Sequence, residues 1–301
     1  MRSLISILTL ATLWQGGALW AQLATVNELG LSWGHLHVTA PDREKEAKAW
    51  ITLGGGLGYN LSGNIPITFP GIVILLRQRE VTGGSAGAVV DHVAFRVPDL
   101  EASMAKWKGL VTWWKQGNWG LKPEPGTKPG QGFVTTPGGV KIEILEDKSL
   151  QVPIVYDHAH FYVPESRLQE TQAWYTKMFG AKPVRGEANT LSMPGGMLVF
   201  SKSDAPAALN VGRSLDHIGF NALSAESLRV FTKGLEEKGA KFERPPESSS
   251  MGMTSVLDNL GMRIEITKAQ GGYFDLKQLD AAFHTFDEGG RRQGDPPRQQ
   301  P

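Results

Sequence analysis

The chain has 301 residues, a formal net charge of +1 and 41% hydrophobic residues, an ordinary globular composition long enough for one large core or two smaller ones. The balanced charge gives no electrostatic reason to expect nucleic acid or an anionic membrane as partner. Cysteine is absent, which excludes disulfides, thiolate nucleophiles and cysteine-bound metals, so any metal must be held by His and carboxylate.

The first residues read as a signal peptide over 1–21. Arg2 supplies a positive start, Leu4 to Leu13 a short apolar run, and Gly16, Gly17, Ala18 and Ala21 the small residues of a cleavage region. The run is shorter than the roughly 20 apolar residues of a membrane span. A buried N-terminal helix is the alternative reading. Cleavage predicts a periplasmic or secreted protein with no membrane contact afterwards.

Four segments then begin alike: WGHLHVTAPD at Trp33, VDHVAFRVPD at Val90, YDHAHFYVPE at Tyr156 and LDHIGFNALS at Leu215. Each has His at the third position within an alternating run, which predicts a strand. The Pro and acid that follow, or Ser224 in the last copy, predict a helix start. Helices are expected over Pro41–Leu53, Leu100–Leu110, Ser166–Phe179 and Ser224–Lys238, with Gly180 and Gly239 as C-terminal stops.

Each repeat closes with a turn and a short apolar strand: FPGIVILL from Phe69, TPGGVKIEI from Thr136, MPGGMLVF from Met193 and NLGMRIEI from Asn259. Gly71, Gly139, Gly196 and Gly261 are aligned as the turn glycines. His35 and His158 are 123 residues apart, His92 and His217 are 125 apart, and Glu143 and Glu265 are 122 apart. Two halves of two modules each describe this pattern. A closing helix is expected over 271–288, where Tyr273, Leu276, Leu279, Phe283 and Phe286 recur at near-helical spacing. Residues 289–301, with nothing to bury, are expected to form a disordered tail.

A strand-borne His, a helix ending in AWYTKMFG (Ala173 to Gly180) and a last strand reading IEI resemble the modules of the vicinal oxygen chelate superfamily, the glyoxalase/bleomycin resistance/extradiol dioxygenase group. The resemblance covers roughly Ser32 to Lys268, with module 1 the poorest match. It implies an α+β fold of four βαβββ modules paired into two half-barrel cups, each with a metal at its centre. The expected cups are 30–150, from modules 1 and 2, and 151–270, from modules 3 and 4.

Strand alternation places His35, His92, His158 and His217 on one face, with Leu36, Val38, Val93, Phe95, Ala159, Phe161, Ile218 and Phe220 pointing to the helices. Lys141 and Glu143, and likewise Arg263 and Glu265, share a face opposite their isoleucines. The positions aligned with the two glutamates in modules 1 and 3 are Leu75 and Phe200, which cannot ligate. The expected ligand sets are therefore His35, His92 and Glu143 in the first cup and His158, His217 and Glu265 in the second. Two His and one carboxylate with open positions favour Fe(II); Mn(II) and Zn(II) fit the same donors.

Asp91, Asp157 and Asp216 precede their histidines. A strand-end role is favoured for them over orientation of the imidazole, because neighbouring strand residues face opposite sides. His37 and His160, two residues beyond a ligand position, are candidate acid–base groups or else polar wall residues. Tyr162 and Arg96 are candidates for orienting an anionic or phenolic substrate, or else end their strands in solvent. Trp113, Trp114 and Trp119 belong to a Gly/Pro-rich insert that either closes over a cup or packs on the barrel.

The leading expectation is an exported metal-dependent enzyme, dioxygenase-like, acting on a small oxygenated molecule, aromatic ones included. Extradiol enzymes of this superfamily carry a Tyr shortly before the ligand Glu; TTPGGVKIE and LDNLGMRIE have none, which leaves His160 for that acid–base role. The alternatives are a glyoxalase-type lyase or isomerase and a non-enzymatic, antibiotic-type binding protein.

Overall fold

The computed structural model describes residues 24–58, 63–109, 119–204, 207–246 and 252–269. The expected signal peptide, closing helix and tail lie outside them, as do Trp113 and Trp114. Among the described residues no helix is long and apolar enough to cross a membrane.

The four βαβββ modules are present. Module 1 is β1 (Leu31–Ala40), α1 (Arg43–Leu53), β2 (Gly56–Leu57), β3 (Ile65–Phe69) and β4 (Ile72–Gln78). Module 2 is β5 (Val90–Val97), α2 (Leu100–Gly109), β6 (Lys122–Pro125), β7 (Gln131–Thr135) and β8 (Lys141–Glu146). Module 3 is β9 (Val155–Pro164), α3 (Leu168–Phe179), β10 (Lys182–Pro183), β11 (Thr190–Met193) and β12 (Gly196–Ser203). Module 4 is β13 (Leu215–Ala222), α4 (Ala225–Glu237), β14 (Lys241–Arg244), β15 (Met253–Leu257) and β16 (Arg263–Lys268).

Local chemistry sets these boundaries. Asp42 accepts from the backbone N–H of Lys45, Asp99 from that of Ala102 and Ser224 from that of Ser227, which caps three of the helices. The fourth start differs, since Glu165 to Arg167 form a short 3-10 turn before α3. Gly180 ends α3 in the left-handed region at φ 70°. The turn before each last strand needs positive φ at Gly71, Gly139, Gly195 and Gly261. Gly195 therefore replaces Gly196 as the turn glycine of module 3, a one-residue correction.

In every module the first and last strands pair in parallel, and the modules join through their first strands in antiparallel. The joining corrects the expected cups. One eight-stranded sheet runs β14-β15-β16-β13-β1-β4-β3-β2 and the other β10-β11-β12-β9-β5-β8-β7-β6. Modules 1 and 4 thus build an outer cup and modules 2 and 3 an inner one, so the cup borders cross the two sequence halves. The segments that pass between the sheets are tied to each other. Val89 donates to the carbonyl of Ala208, Thr82 to that of Gly212 and Ser214 to that of Gly83. Asn210, wholly buried, accepts from Val90 N–H and donates to the carbonyls of Val90 and Leu215.

Modules adjacent in sequence meet back to back. Leu36, Val38, Val93, Phe95, Ala159, Phe161, Ile218 and Phe220 are all buried in one continuous core, as their alternation predicts. Trp50 of α1 packs on Phe69 and on Phe95 of the other sheet, and Phe179 of α3 on Phe220 at 5.0 Å. Two buried carboxylates stitch the same seams. Glu46 of α1 accepts from Trp50 Nε1 at 2.9 Å and from Gly138 N–H in module 2 at 2.7 Å. Asp258 of module 4 accepts from the Tyr175 hydroxyl of α3 at 3.0 Å.

Burial pushes the Glu46 carboxyl above its usual range, against the pull of hydrogen bonds from Thr136, Gly138 and Trp50. Its folded form therefore favours the proton, so its contribution is complete below about pH 4 and fades as pH rises through the raised value. Glu46→Ala removes the acceptor shared by Trp50 Nε1, Gly138 N–H and Thr136 and should cost about 2–4 kcal/mol in urea unfolding. The loss should be larger at pH 4 than at pH 8; an equal or smaller loss at pH 4 contradicts the assignment.

Candidate metal centres

The two ladders of first strands carry the sites, and both are bulged. In β1 and β13 the register skips Gly34 and Asp216, and in β5 and β9 it skips Asp91 and Asp157. A bulged residue breaks the two-residue alternation, so its side chain turns to the side of its neighbour. This corrects the strand-end role expected for the three aspartates. Asp91 lies 2.7 Å from His92 Nδ1, Asp157 2.7 Å from His158 Nδ1 and Asp216 2.6 Å from His217 Nδ1. Each aspartate thus fixes its imidazole with Nε2 aimed into the cup.

A cation stands behind every aspartate. Lys141 Nζ is 2.9 Å from Asp91, Arg96 Nε 2.7 Å from Asp157 and Arg263 Nη1 3.1 Å from Asp216. Arg96 also pairs with Asp147 at 2.8 Å, so its guanidinium is held between Asp147 and Asp157. Lys141 and Arg263 were missed as functional residues, although Lys-x-Glu and Arg-x-Glu place them on the cup face beside Glu143 and Glu265. Module 1 has Gly34 where the others have Asp, and a Cβ there would lie 2.5 Å from the side chain of Asn221.

Because modules pair 1 with 4 and 2 with 3, the ligand sets change partners. The outer cup gathers His35, His217 and Glu265, and the inner cup gathers His92, His158 and Glu143 with His160 beside them. All six expected ligands reappear in these two groups, each with two His and one Glu; only the partners are exchanged. His35 Nε2 lies 3.4 Å and His217 Nε2 3.6 Å from the Glu265 carboxylate. His92 Nε2 lies 3.5 Å and His158 Nε2 3.4 Å from Glu143. Such separations are long for hydrogen bonds but suit neighbouring ligands, since donors about 2.1 Å from a shared ion stand roughly 3–3.5 Å apart. The buried Nε2 atoms of His158 and His217 have no hydrogen-bond partner among the described residues, which fits the same group.

The register also settles the odd modules. His37 lies opposite Leu75 and His160 opposite Val199, so Val199 rather than Phe200 is the counterpart of the glutamates. Phe200 points into the core and stacks on Phe161. Gly219 lies directly against His35, where any Cβ would come within 2.1 Å of the ring. His37 and His160 face the ligand histidines of the opposite strand, with ring centroids 4.7 Å from His217 and 4.5 Å from His92. His160 Nε2 also meets Ser201 Oγ at 2.8 Å, and Tyr162 stacks on His160 at 5.2 Å. Trp119 packs on the barrel, with Lys48 of α1 4.3 Å from its ring.

Electrostatics follow from these contacts. Burial favours protonation of Glu143, but His158, His92 and Gln131 outweigh it and hold the carboxyl below its usual range. The same competition, with His217 and His35 as partners, keeps Glu265 well below it. His158 and His217 are raised, because their carboxylate partners overcome burial. His37 and His160 are pushed down to about 3, chiefly by burial and then by the adjacent histidines.

Two cups of βαβββ modules, each centred on two histidines and a glutamate, offer two groups of side chains that could hold a metal ion. Residues 157–266 match the family described as Glyoxalase/Bleomycin resistance protein/Dioxygenase superfamily. Glyoxalase I from Zea mays has a similar fold, with a TM-score of 0.59 and 16% identity over 85% of this chain and 97% of that chain. A candidate dioxygenase from Bacillus subtilis gives a TM-score of 0.56 at 14% identity over 87% of this chain and 91% of its own. No curated protein matches the chain.

Asp157→Asn should weaken the inner cup's hold on a divalent ion about 10–100-fold while leaving the outer cup unchanged, as read by competition with a chromophoric chelator. Unchanged affinity would remove the orienting role from the aspartate.

Proposed function

We propose that the protein is a metal-dependent vicinal oxygen chelate enzyme holding one divalent ion per cup, with His35, His217 and Glu265 in the outer cup and His92, His158 and Glu143 in the inner. The observation that carries this reading is the 3.4–3.6 Å spacing of imidazole nitrogens from a central carboxylate at two buried centres. An ion held by these residues would supply a Lewis acid for the adjacent oxygens of a small substrate. Asp91, Asp157 and Asp216 hold three of the four imidazoles in one tautomer. His160, whose Nε2 is engaged by Ser201, keeps Nδ1 for proton exchange with a substrate atom, and His37 takes the corresponding place in the outer cup. Tyr162, stacked on His160, offers a wall for an aromatic or phenolic group.

The three-ligand outer cup leaves coordination positions open, which favours Fe(II) and a dioxygenase-type reaction; Mn(II) and Zn(II) suit the same donors. A redox-silent, glyoxalase-type lyase or isomerase has one observation in its favour: His160 stands as a fourth candidate ligand in the inner cup. Export through a cleaved leader at 1–21 completes the proposal and is supported by the Arg2-led apolar run alone.

Protein purified without chelator should carry about two equivalents of Fe or Mn and consume dioxygen with small oxygenated aromatics. Turnover with Zn or Ni and no oxygen uptake would favour the isomerase reading. No metal, bound or taken up on reconstitution, would overturn the enzyme and leave an antibiotic-type binding protein.

A further inference from the structure

The two cups share a ligand pattern but differ sharply in the charge around it. In the outer cup a cavity of about 460 Å³ opens on Glu265 and His37 and is lined by Arg43, Arg77 and Arg244. The three arginines come from three elements of two modules, the start of α1, the end of β4 and the end of β14, so only the fold brings them together. Among the described residues none of them has a carboxylate partner, whereas Arg96, Lys141 and Arg263 beside the ligands are all paired. Arg43 spends one N–H on the carbonyl of Gly63 and keeps a buried Nε without a partner.

The register supplies an internal control. Arg77 occupies the position that Ser201 holds in module 3, since Leu75 opposes His37 as Val199 opposes His160. Arg244 occupies the position of Glu124 in module 2, because Arg244 faces Ser255 opposite Glu265 as Glu124 faces Phe133 opposite Glu143. The inner cup therefore carries a hydroxyl and a carboxylate where the outer cup carries two guanidiniums. Arg77 is exposed and Arg43 and Arg244 are half-buried around a partly open cavity, so guanidiniums without a carboxylate partner stand ready for an anion, and their planar fork matches the oxygens of a carboxylate or phosphate.

We infer that the outer cup recognises a small polyanionic substrate, its carboxylate or phosphate oxygens held by Arg43, Arg77 and Arg244, which line the same cavity as His37 and Glu265. The inference rests on the proposed function for the identity of the reacting end, but the oxyanion subsite stands on its own residues. The inner cup, lacking these groups, serves a different and less charged molecule.

Calorimetric titration of the full chain with malonate, inorganic phosphate and neutral catechol tests this, in wild type and in Arg77→Gln, Arg244→Gln and the double variant, with thermal unfolding to verify folding. The dianions should bind wild type with an affinity that falls as salt rises, and the double variant should lose at least tenfold with catechol unaffected. Binding of malonate alone or phosphate alone assigns the oxyanion as carboxylate or phosphate. Glu124→Ala, in the inner cup, should leave anion binding unchanged. Absence of dianion binding, or equal loss in Glu124→Ala, overturns the inference. Metal content measured on the same samples separates the two claims: metal without anion binding sinks only the substrate class, and anion binding without metal sinks only the enzyme reading.

Discussion

Everything at the two centres depends on how the first strands pair, β1 with β13 and β5 with β9, and on the residue that bulges out of each just before its histidine. Antiparallel pairing brings a histidine from each module to one carboxylate on the neighbouring parallel strand. The bulge then turns the preceding residue to the same side, so a carboxylate that ordinary alternation would send away instead grips Nδ1. A cation behind that carboxylate completes a chain of cation, aspartate and imidazole three times over. The fourth copy, at Gly34, lacks the aspartate, and His35 is instead accommodated by the bare backbone of Gly219.

The four modules, their helix boundaries and the six candidate ligands were legible in the sequence because they rest on local signals. His at a fixed place in an alternating run, Asp or Ser at a helix start and Gly at a left-handed stop each act within a few residues. Which module pairs with which is not local. Two equal halves suggest consecutive pairing, and that repeat is real, but it appears as helix-side packing through Trp50, Glu46, Tyr175 and Asp258 rather than as shared sheets. The roles of Asp91, Asp157 and Asp216 were misread for one reason: strict alternation was assumed across strands that bulge. Phe200 and Gly196 were displaced by one place because Gly195 and Gly196 are adjacent and only the first takes positive φ.

The duplicated architecture has also diverged. Gln131 holds Glu143 in the inner cup, while the matching place in the outer cup is Met253, which has no proton to donate. Ser201 and Glu124 face Arg77 and Arg244 across the pseudo-symmetry. The candidate ligand sets are thus what the two cups share, and the side chains around them are where the cups part in chemistry. Fold similarity to glyoxalase I and to a candidate dioxygenase is consistent with either reaction class, since one fold hosts many reactions.

Counting metal in two double variants tests the exchanged ligand sets most directly. His158→Ala with Glu143→Ala removes two ligands from one cup, whereas His158→Ala with Glu265→Ala removes one from each. The account predicts that the first variant retains about half of the wild-type metal and the second retains almost none. The reverse result would restore His158, His217 and Glu265 to a single site and contradict the pairing of modules 1 with 4 and 2 with 3.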